Sequence, residues 1–258
     1  MGDMIYRPLV EGMRWSYSRL HSFEQCKYEW FLKYIHGTKK EEKFYASYGS
    51  FVHKLIELYY RGFFTALELK DAFVSGFSDS VLGDRPNDSI VSKYIAAGIR
   101  YFGDFHPVPF HVLEVEKKIR FEMDGIPMVA IIDILCEENG ELIIVDNKSR
   151  DLKPRSNRKK PTANDRTLDE MLRQLYIYAC AVQAEYGKFP AALCFNCFKA
   201  GVFILEPFQK EKYDEAIQWA KDRIEEIKSE EDFNPNPEYF FCKFLCDVSY
   251  DCIYKDMS

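Results

Sequence analysis

Along the first hundred positions apolar residues recur at offsets of three and four, and that spacing predicts helices. In WSYSRLHSFEQCKYEWFLKYI, Ser18 stands where an N-cap would sit, and Leu20, Phe23, Tyr28, Phe31 and Tyr34 follow at helical intervals. Two short helices are expected around Cys26. In YGSFVHKLIELYYRGFF, Val52, Leu55, Ile56 and Tyr59 form one apolar stripe, with His53 one position off it. Residues from about Thr65 to Phe105 read as an irregular helical insertion.

From His111 the period drops to two: Leu113, Val115, Ile119 and Phe121 alternate with Glu114, Glu116, Lys118 and Arg120, as in a half-buried strand. Asp124-Gly125 marks a tight hairpin, IPMVAIIDILC a more buried strand, Asn139-Gly140 a second hairpin and ELIIVDNK a third strand. The expectation is a three-stranded antiparallel meander. RDLKPRSNRKKPTANDR has two prolines and no apolar period, which predicts a mobile loop. Thr167-Leu168-Asp169-Glu170 has the form of a capping box for a helix that runs to about Tyr186 and stops at Gly187 and Pro190. AALCFNCF and VFILEPF, joined through Ala200-Gly201, read as two more strands. A charged helix follows from about Gln209 to Lys228, and Asn234-Pro235-Asn236-Pro237 breaks the chain before YFFCKFLCDVSYDC.

The whole pattern predicts one α/β (α+β) domain over residues 1–258, a central sheet containing the meander, flanked by helices. A length of 258 residues suits one sizeable core, and 47% hydrophobic with 16% aromatic residues marks a folded chain. The formal charge of −6 argues against a uniformly basic nucleic-acid coat, although a local basic groove is compatible with it. No apolar stretch is long enough to span a bilayer, and MGDMIYRPLV lacks a basic segment followed by an apolar one, so a cytoplasmic location is expected. In such a reducing compartment the 8 cysteines read as metal ligands or buried thiols rather than disulfides.

If both hairpins have two-residue loops, paired residue numbers keep a constant sum. Glu138 opposite Glu141 puts Asp133 opposite Asp146; Met123 opposite Ile126 puts Glu116 opposite Asp133. Lys148, two residues beyond Asp146, shares its face. A one-residue bulge would break this register, and Pro127 makes the first turn the place to expect one. Carboxylates opposed at roughly 5 Å repel by about 3 kcal/mol at an effective dielectric of about 20. Divalent cations relieve that repulsion, and hard oxygen ligands suit Mg²⁺ or Mn²⁺ better than zinc. Such a donor set supports phosphodiester hydrolysis, with Lys148 orienting or helping to deprotonate the water. The plain alternative is a set of solvated strand-end acids. Against it stands an Asp within VAIIDILC, a costly place for an idle charge.

His53 in GSFVHKLIE, Asp133 in AIIDIL, Asp146 and Lys148 in IVDNKS, and Gln174 and Tyr178 in RQLYIYA resemble, in order and spacing, the RecB-like branch of the PD-(D/E)xK nucleases. The resemblance extends from about Ser16 to Cys252. It implies a restriction-endonuclease-like core with a mixed sheet, and a DNA nuclease acting on free ends or single strands in recombination, phage replication, repair or CRISPR adaptation. A structure-specific endonuclease or a non-catalytic DNA-binding subunit with the same fold are the alternatives. It further implies metal ligation by His53, Asp133, Asp146 and the main-chain carbonyl of Asn147, with Glu116 matching the acid of the first core strand. Gln174 would support the site, and Tyr178 would contact DNA or the lysine. On the residues alone, His53 reads equally well as a core-edge histidine and Tyr178 as an interfacial aromatic.

Cys26, Cys242, Cys246 and Cys252 are similar to the set with which family members staple their termini through a [4Fe-4S] cluster. Lys243, Phe244 and Leu245 lengthen the usual spacing, and Lys27 stands where a proline often follows, so a Cys₄ zinc site or free thiols stay open. Cys194 and Cys197 form a CxxC, but their odd offset on a strand sends them to opposite faces. With Cys136 and Cys180 they read as buried apolar residues. The loop after Lys148 carries Arg150, Lys153, Arg155, Arg158, Lys159, Lys160 and Arg166 against Asp151 and Asp165. Its segment Lys153–Lys160 is expected either to hold DNA phosphates or to be simply solvated.

Overall fold

In the computed structural model, residues 6–150 and 152–257 are described; the first residues of MGDMIYRPLV and Asp151 lie outside the described residues. Helices α1 (Arg7–Glu11), α2 (Tyr17–Gln25) and α3 (Lys27–Phe31) open the chain, α3 running on into a π turn at Leu32–His36. The cap of α2 is Ser16, not Ser18: Ser16 is extended, with φ −150°, and its Oγ accepts the Arg19 N–H at 3.3 Å. A cap must stand outside the helix, and Ser18 is already within the first turn. Helix α4 (Phe44–Tyr60) follows, and α5 (Leu69–Ser80) with α6 (Asp88–Gly103) fills the region expected to be a helical insertion.

Strands β1 (His111–Met123), β2 (Ile126–Glu138), β3 (Glu141–Asn147), β4 (Ala192–Cys197) and β5 (Val202–Pro207) form one five-stranded sheet in sequence order. Every pair is antiparallel except β3–β4, which helix α7 (Ala163–Tyr186) makes parallel by carrying the chain back. One core lies between the sheet, α7 and α8 (Lys210–Ser229); another lies between its opposite face and α4, α5 and α6. Cys197 belongs to the first and Cys194 to the second, as their odd offset requires. No helix among the described residues is long and apolar enough to cross a membrane.

The β1–β2 register keeps the sum set by the Asp124-Gly125 turn from Met123↔Ile126 as far as Glu114↔Leu135, so Glu116 faces Asp133. Pro127 pairs regularly with Glu122. The irregularity lies instead between Val112 and Glu114, where the extra residue Leu113 is extruded and 38% exposed, not half-buried as its alternation suggested. In β2, Met128, Ala130 and Ile132 belong to the first core, whereas Ile134 and Cys136 belong to the second. The strand's faces therefore exchange at Asp133, opposite Glu116, whose backbone has φ 52°. A positive φ costs a non-glycine residue on the order of 1–2 kcal/mol, and local strain of this kind concentrates at functional sites.

Helix α7 starts earlier than expected. Its capping box is Thr162 with Asp165: Thr162 Oγ1 accepts the Asp165 N–H at 3.2 Å, and the Asp165 carboxylate accepts the Thr162 N–H at 2.6 Å. Thr167–Glu170 lies within the helix. Tertiary contact explains the choice, since Asp165 also accepts the Ser156 N–H at 2.7 Å and so ties down the preceding loop. At the other end of the chain, α9 (Tyr239–Phe244) and the turns after it pack on α3 and its π extension, where Leu32, Cys246 and Val248 are buried beside Tyr28, Phe31, Phe241 and Cys252.

Candidate metal centre

The apolar stripe of α4 buries Val52 and Ile56 against the sheet, which turns His53 toward the strand edge. There His53 Nδ1 lies 3.4 Å from Asp133 Oδ2. Donor atoms of His53, Glu116 and Asp133 all fall within 4.8 Å of one another, the one such His, Cys, Asp or Glu group of three or more among the described residues. Asp133 also accepts the Asn147 N–H at 2.7 Å, which fixes its carboxylate at the end of β3.

Asp146 is buried beside this group but engaged elsewhere. Its Oδ2 lies 2.8 Å from Lys148 Nζ, and its Oδ1 accepts from Gln174 Nε2 at 3.2 Å. Gln174 Oε1 accepts from Lys148 Nζ at 2.8 Å, and Gln174 Nε2 donates to the Tyr178 hydroxyl at 2.7 Å. Gln174 and Tyr178 share one face of α7 because they are four apart, while Leu175, Ala179 and Val182 face the core. The β2–β3 pairing keeps the register that sets Asp133 opposite Asp146, as expected, but the side chains of the row take different partners. Glu116 and Asp133 stand with His53, whereas Asp146 pairs with Lys148, because a buried carboxylate with an ammonium in reach pairs with it.

Electrostatics mark the first group as short of positive charge. Burial, and then the neighbouring Asp133, push the Glu116 carboxyl up to about 6. Burial, followed by Asp146, also raises Asp133 well above the usual carboxylate range. Burial lowers His53, which favours the neutral imidazole that can ligate a metal. One nitrogen and two carboxylates with donor atoms within 4.8 Å of one another fit a divalent cation. A cleft of about 530 Å³ opens onto His53, Glu116, Asn147 and Lys148, walled by Tyr45, Gly49 and Ser50 of α4.

Sequence reasoning missed the support behind this cleft. Asn196 Nδ2 donates to Asn147 Oδ1 and to the Tyr101 hydroxyl, each at 2.8 Å, and its carbonyl accepts the Lys148 N–H at 2.8 Å. The available signal was a lone amide within the apolar strand LCFNCF. Within the basic loop, Arg155 is not available as expected: it clamps Glu206 and Asp169 at 2.7 Å each. Lys153, Arg158, Lys159 and Lys160 are exposed.

Cys26 and the three C-terminal cysteines, Cys242, Cys246 and Cys252, line one cavity of about 20 Å³, although nearly the whole chain separates them. Cys26 Sγ accepts the Asn236 N–H at 3.5 Å, and burial raises the Cys246 thiol to about 12.

Residues 14–256 match the family model of the PD-(D/E)XK nuclease superfamily. No curated protein matches the chain. Among solved structures, the fold is similar to a Eubacterium rectale protein named as a candidate exonuclease, at 14% identity over 93% of this chain and 94% of that chain, with a TM-score of 0.49. It is also similar to SSO0001, at 17% identity over 72% of this chain and 81% of that chain, with a TM-score of 0.32.

Proposed function

Because the chain belongs to the PD-(D/E)XK nuclease superfamily, whose members use divalent metals, we propose that it is a Mg²⁺- or Mn²⁺-dependent deoxyribonuclease acting on single strands or free ends. The observation that carries this reading is the convergence of His53, Glu116 and Asp133, the first two of them lining the cleft, with the Asp146–Lys148–Gln174 chain beside them. In this reading His53, Glu116, Asp133 and the Asn147 carbonyl would hold the metal, and Asp146, which pairs with Lys148 in the metal-free chain, would turn from that pairing to join them. The bound ion would neutralise charge on the scissile phosphate and make a water more acidic. Lys148, held between Asp146 and Gln174, orients that water, and Tyr178 steadies Gln174 from the next turn of α7. The test is end-labelled linear DNA, single- and double-stranded, beside circular DNA, with Mg²⁺ or Mn²⁺. Shortened linear strands, intact circles and full inhibition by EDTA are expected. Intact linear strands in both metals would overturn the nuclease, and cut circles would replace end-directed action with endonuclease action.

The same reading places a [4Fe-4S] cluster on Cys26, Cys242, Cys246 and Cys252. Support comes from their lining one cavity, which brings the two chain ends to a single place. Anaerobic purification should yield a brown protein containing iron and sulfide, and Cys246→Ser should lose the colour and expose the tail to protease. A colourless protein with stoichiometric zinc would refute the cluster.

A further inference from the structure

Tyr45 walls the metal-centre cleft, and its ring also packs 5.7 Å from Phe240 and 6.2 Å from Phe244 of α9. Immediately before α4, Lys43 borders a second cavity, of about 440 Å³, which Tyr239, Lys243, Tyr250 and Lys255 also line. The start of α4 is therefore a wall common to the cleft and to this second cavity. Tyr239, Phe240 and Tyr250 are 56%, 45% and 66% exposed, far more than rings that serve only packing. Lysines interleave with them: Lys243 Nζ lies 5.2 Å from the Tyr239 ring centre and Lys255 Nζ 5.7 Å from that of Tyr250.

We propose that this strip binds single-stranded nucleic acid where it enters or leaves the cleft, its bases stacking on Tyr239 and Tyr250 and its phosphates meeting Lys243 and Lys255. The site rests on the nuclease reading given above. Exposed rings stack with bases of any sequence, and flanking ammonium groups neutralise the backbone between them. Lys43 is a frame rather than a contact, since it is buried and held by Glu41 at 2.9 Å and Ser249 at 2.8 Å. Asp84 and Asp256 line the same cavity. They disfavour a free anion, which has no base to stack, more than they disfavour a strand anchored on the rings. Tyr45 precedes His53 by two turns of α4, about 12 Å along the axis, so only strands longer than a few nucleotides reach from the metal centre to Tyr239.

The experiment measures kcat and KM of the full chain on single strands of about four to sixteen nucleotides, the range of ordinary single-strand site sizes. Wild type should show KM falling about tenfold with length, and Tyr239→Ala combined with Tyr250→Ala should abolish that dependence while leaving kcat and the shortest strand unchanged. Lys243→Glu should also reduce the salt dependence of long-strand binding. Wild-type length dependence in the double variant would overturn the strip, and so would an equal loss at every length, which would locate the damage in the cleft. A wild-type chain that cuts no length with either metal would sink the nuclease reading and this site with it.

Discussion

Asp133 and Asp165 are both withdrawn from solvent, yet their surroundings have opposite signs. Asp165 accepts four donors, from the Ser156 hydroxyl at 2.6 Å, the Ser156 N–H at 2.7 Å, the Thr162 N–H at 2.6 Å and the Thr162 hydroxyl at 2.7 Å. Those bonds, led by the Ser156 hydroxyl, hold its carboxyl far below the usual range. Asp133 accepts the Asn147 N–H and faces Glu116, with Asp146 behind it, and its carboxyl is pushed the other way by burial and then by Asp146. The lesson is that burial alone does not distinguish a structural acid from a functional one. The supply of donors does: the chain satisfies Asp165 itself, and it gives Asp133 one main-chain donor among acidic neighbours.

The largest effect that would break this contrast is on turnover. Asp146→Ala or Lys148→Ala should lower kcat roughly 10²–10³-fold or more on end-labelled DNA, while Asp165→Asn keeps near wild-type turnover below its melting temperature. Undiminished cleavage by either of the first two would remove them from the reaction. Next comes stability. In EDTA, Asp133→Asn should melt higher than wild type because it removes a repelled charge, whereas Asp165→Asn should melt a few degrees lower through loss of the cap. Added Mn²⁺ should raise the melting temperature of wild type and not that of Asp133→Asn. Shifts of the same sign for both aspartates would dissolve the comparison.

Acidity sharpens it further. The folded Glu116 carboxyl, at about 6, lies above its ordinary value of 4.5, so the folded state takes up the proton first. Its contribution to metal-free stability is therefore greatest below 4.5 and is lost as pH rises through 6, by about 1 kcal/mol after discounting for solvent. Asp165 runs the other way, contributing above its ordinary value and losing that contribution as pH falls. Melts in EDTA from pH 4 to 7, with Glu116→Gln as reference, check the sign; a wild-type curve parallel to that variant would refute it. The smallest effect belongs to the loop. Reversing Lys153, Arg158, Lys159 and Lys160 should weaken strand binding and flatten its salt dependence by about 0.7 per lost phosphate contact, read by fluorescence anisotropy. An unchanged slope would leave the loop as solvated charge only.

Local pattern carried much of this. The period-two segments and the Asp-Gly and Asn-Gly turns specified three strands, and turn arithmetic placed Glu116 opposite Asp133, because hairpin pairing depends on a few neighbouring residues. Helix spacing likewise put Gln174 with Tyr178 and set His53 off the buried stripe of α4. The strain at Glu116 and the exchange of faces at Asp133 escaped that reading, since a positive φ in an ordinary residue leaves no trace in hydrophobic period.

The sequence by itself determined the elements, the turns and the residue types of the candidate site, all of which depend on contacts within a few positions of the chain. Only the tertiary structure decided that Asp146 turns to Lys148 and Gln174 rather than joining Asp133, that Asp165 rather than Glu170 completes the cap of α7, and that Arg155 is spent on Glu206 and Asp169. It also brought Cys26 to Cys242, Cys246 and Cys252. The reason is the same in each case. A side chain with several partners in reach takes the one that packing brings nearest, and packing places α4, α7 and the two chain ends against the sheet by burying their apolar faces, over separations that no local pattern encodes.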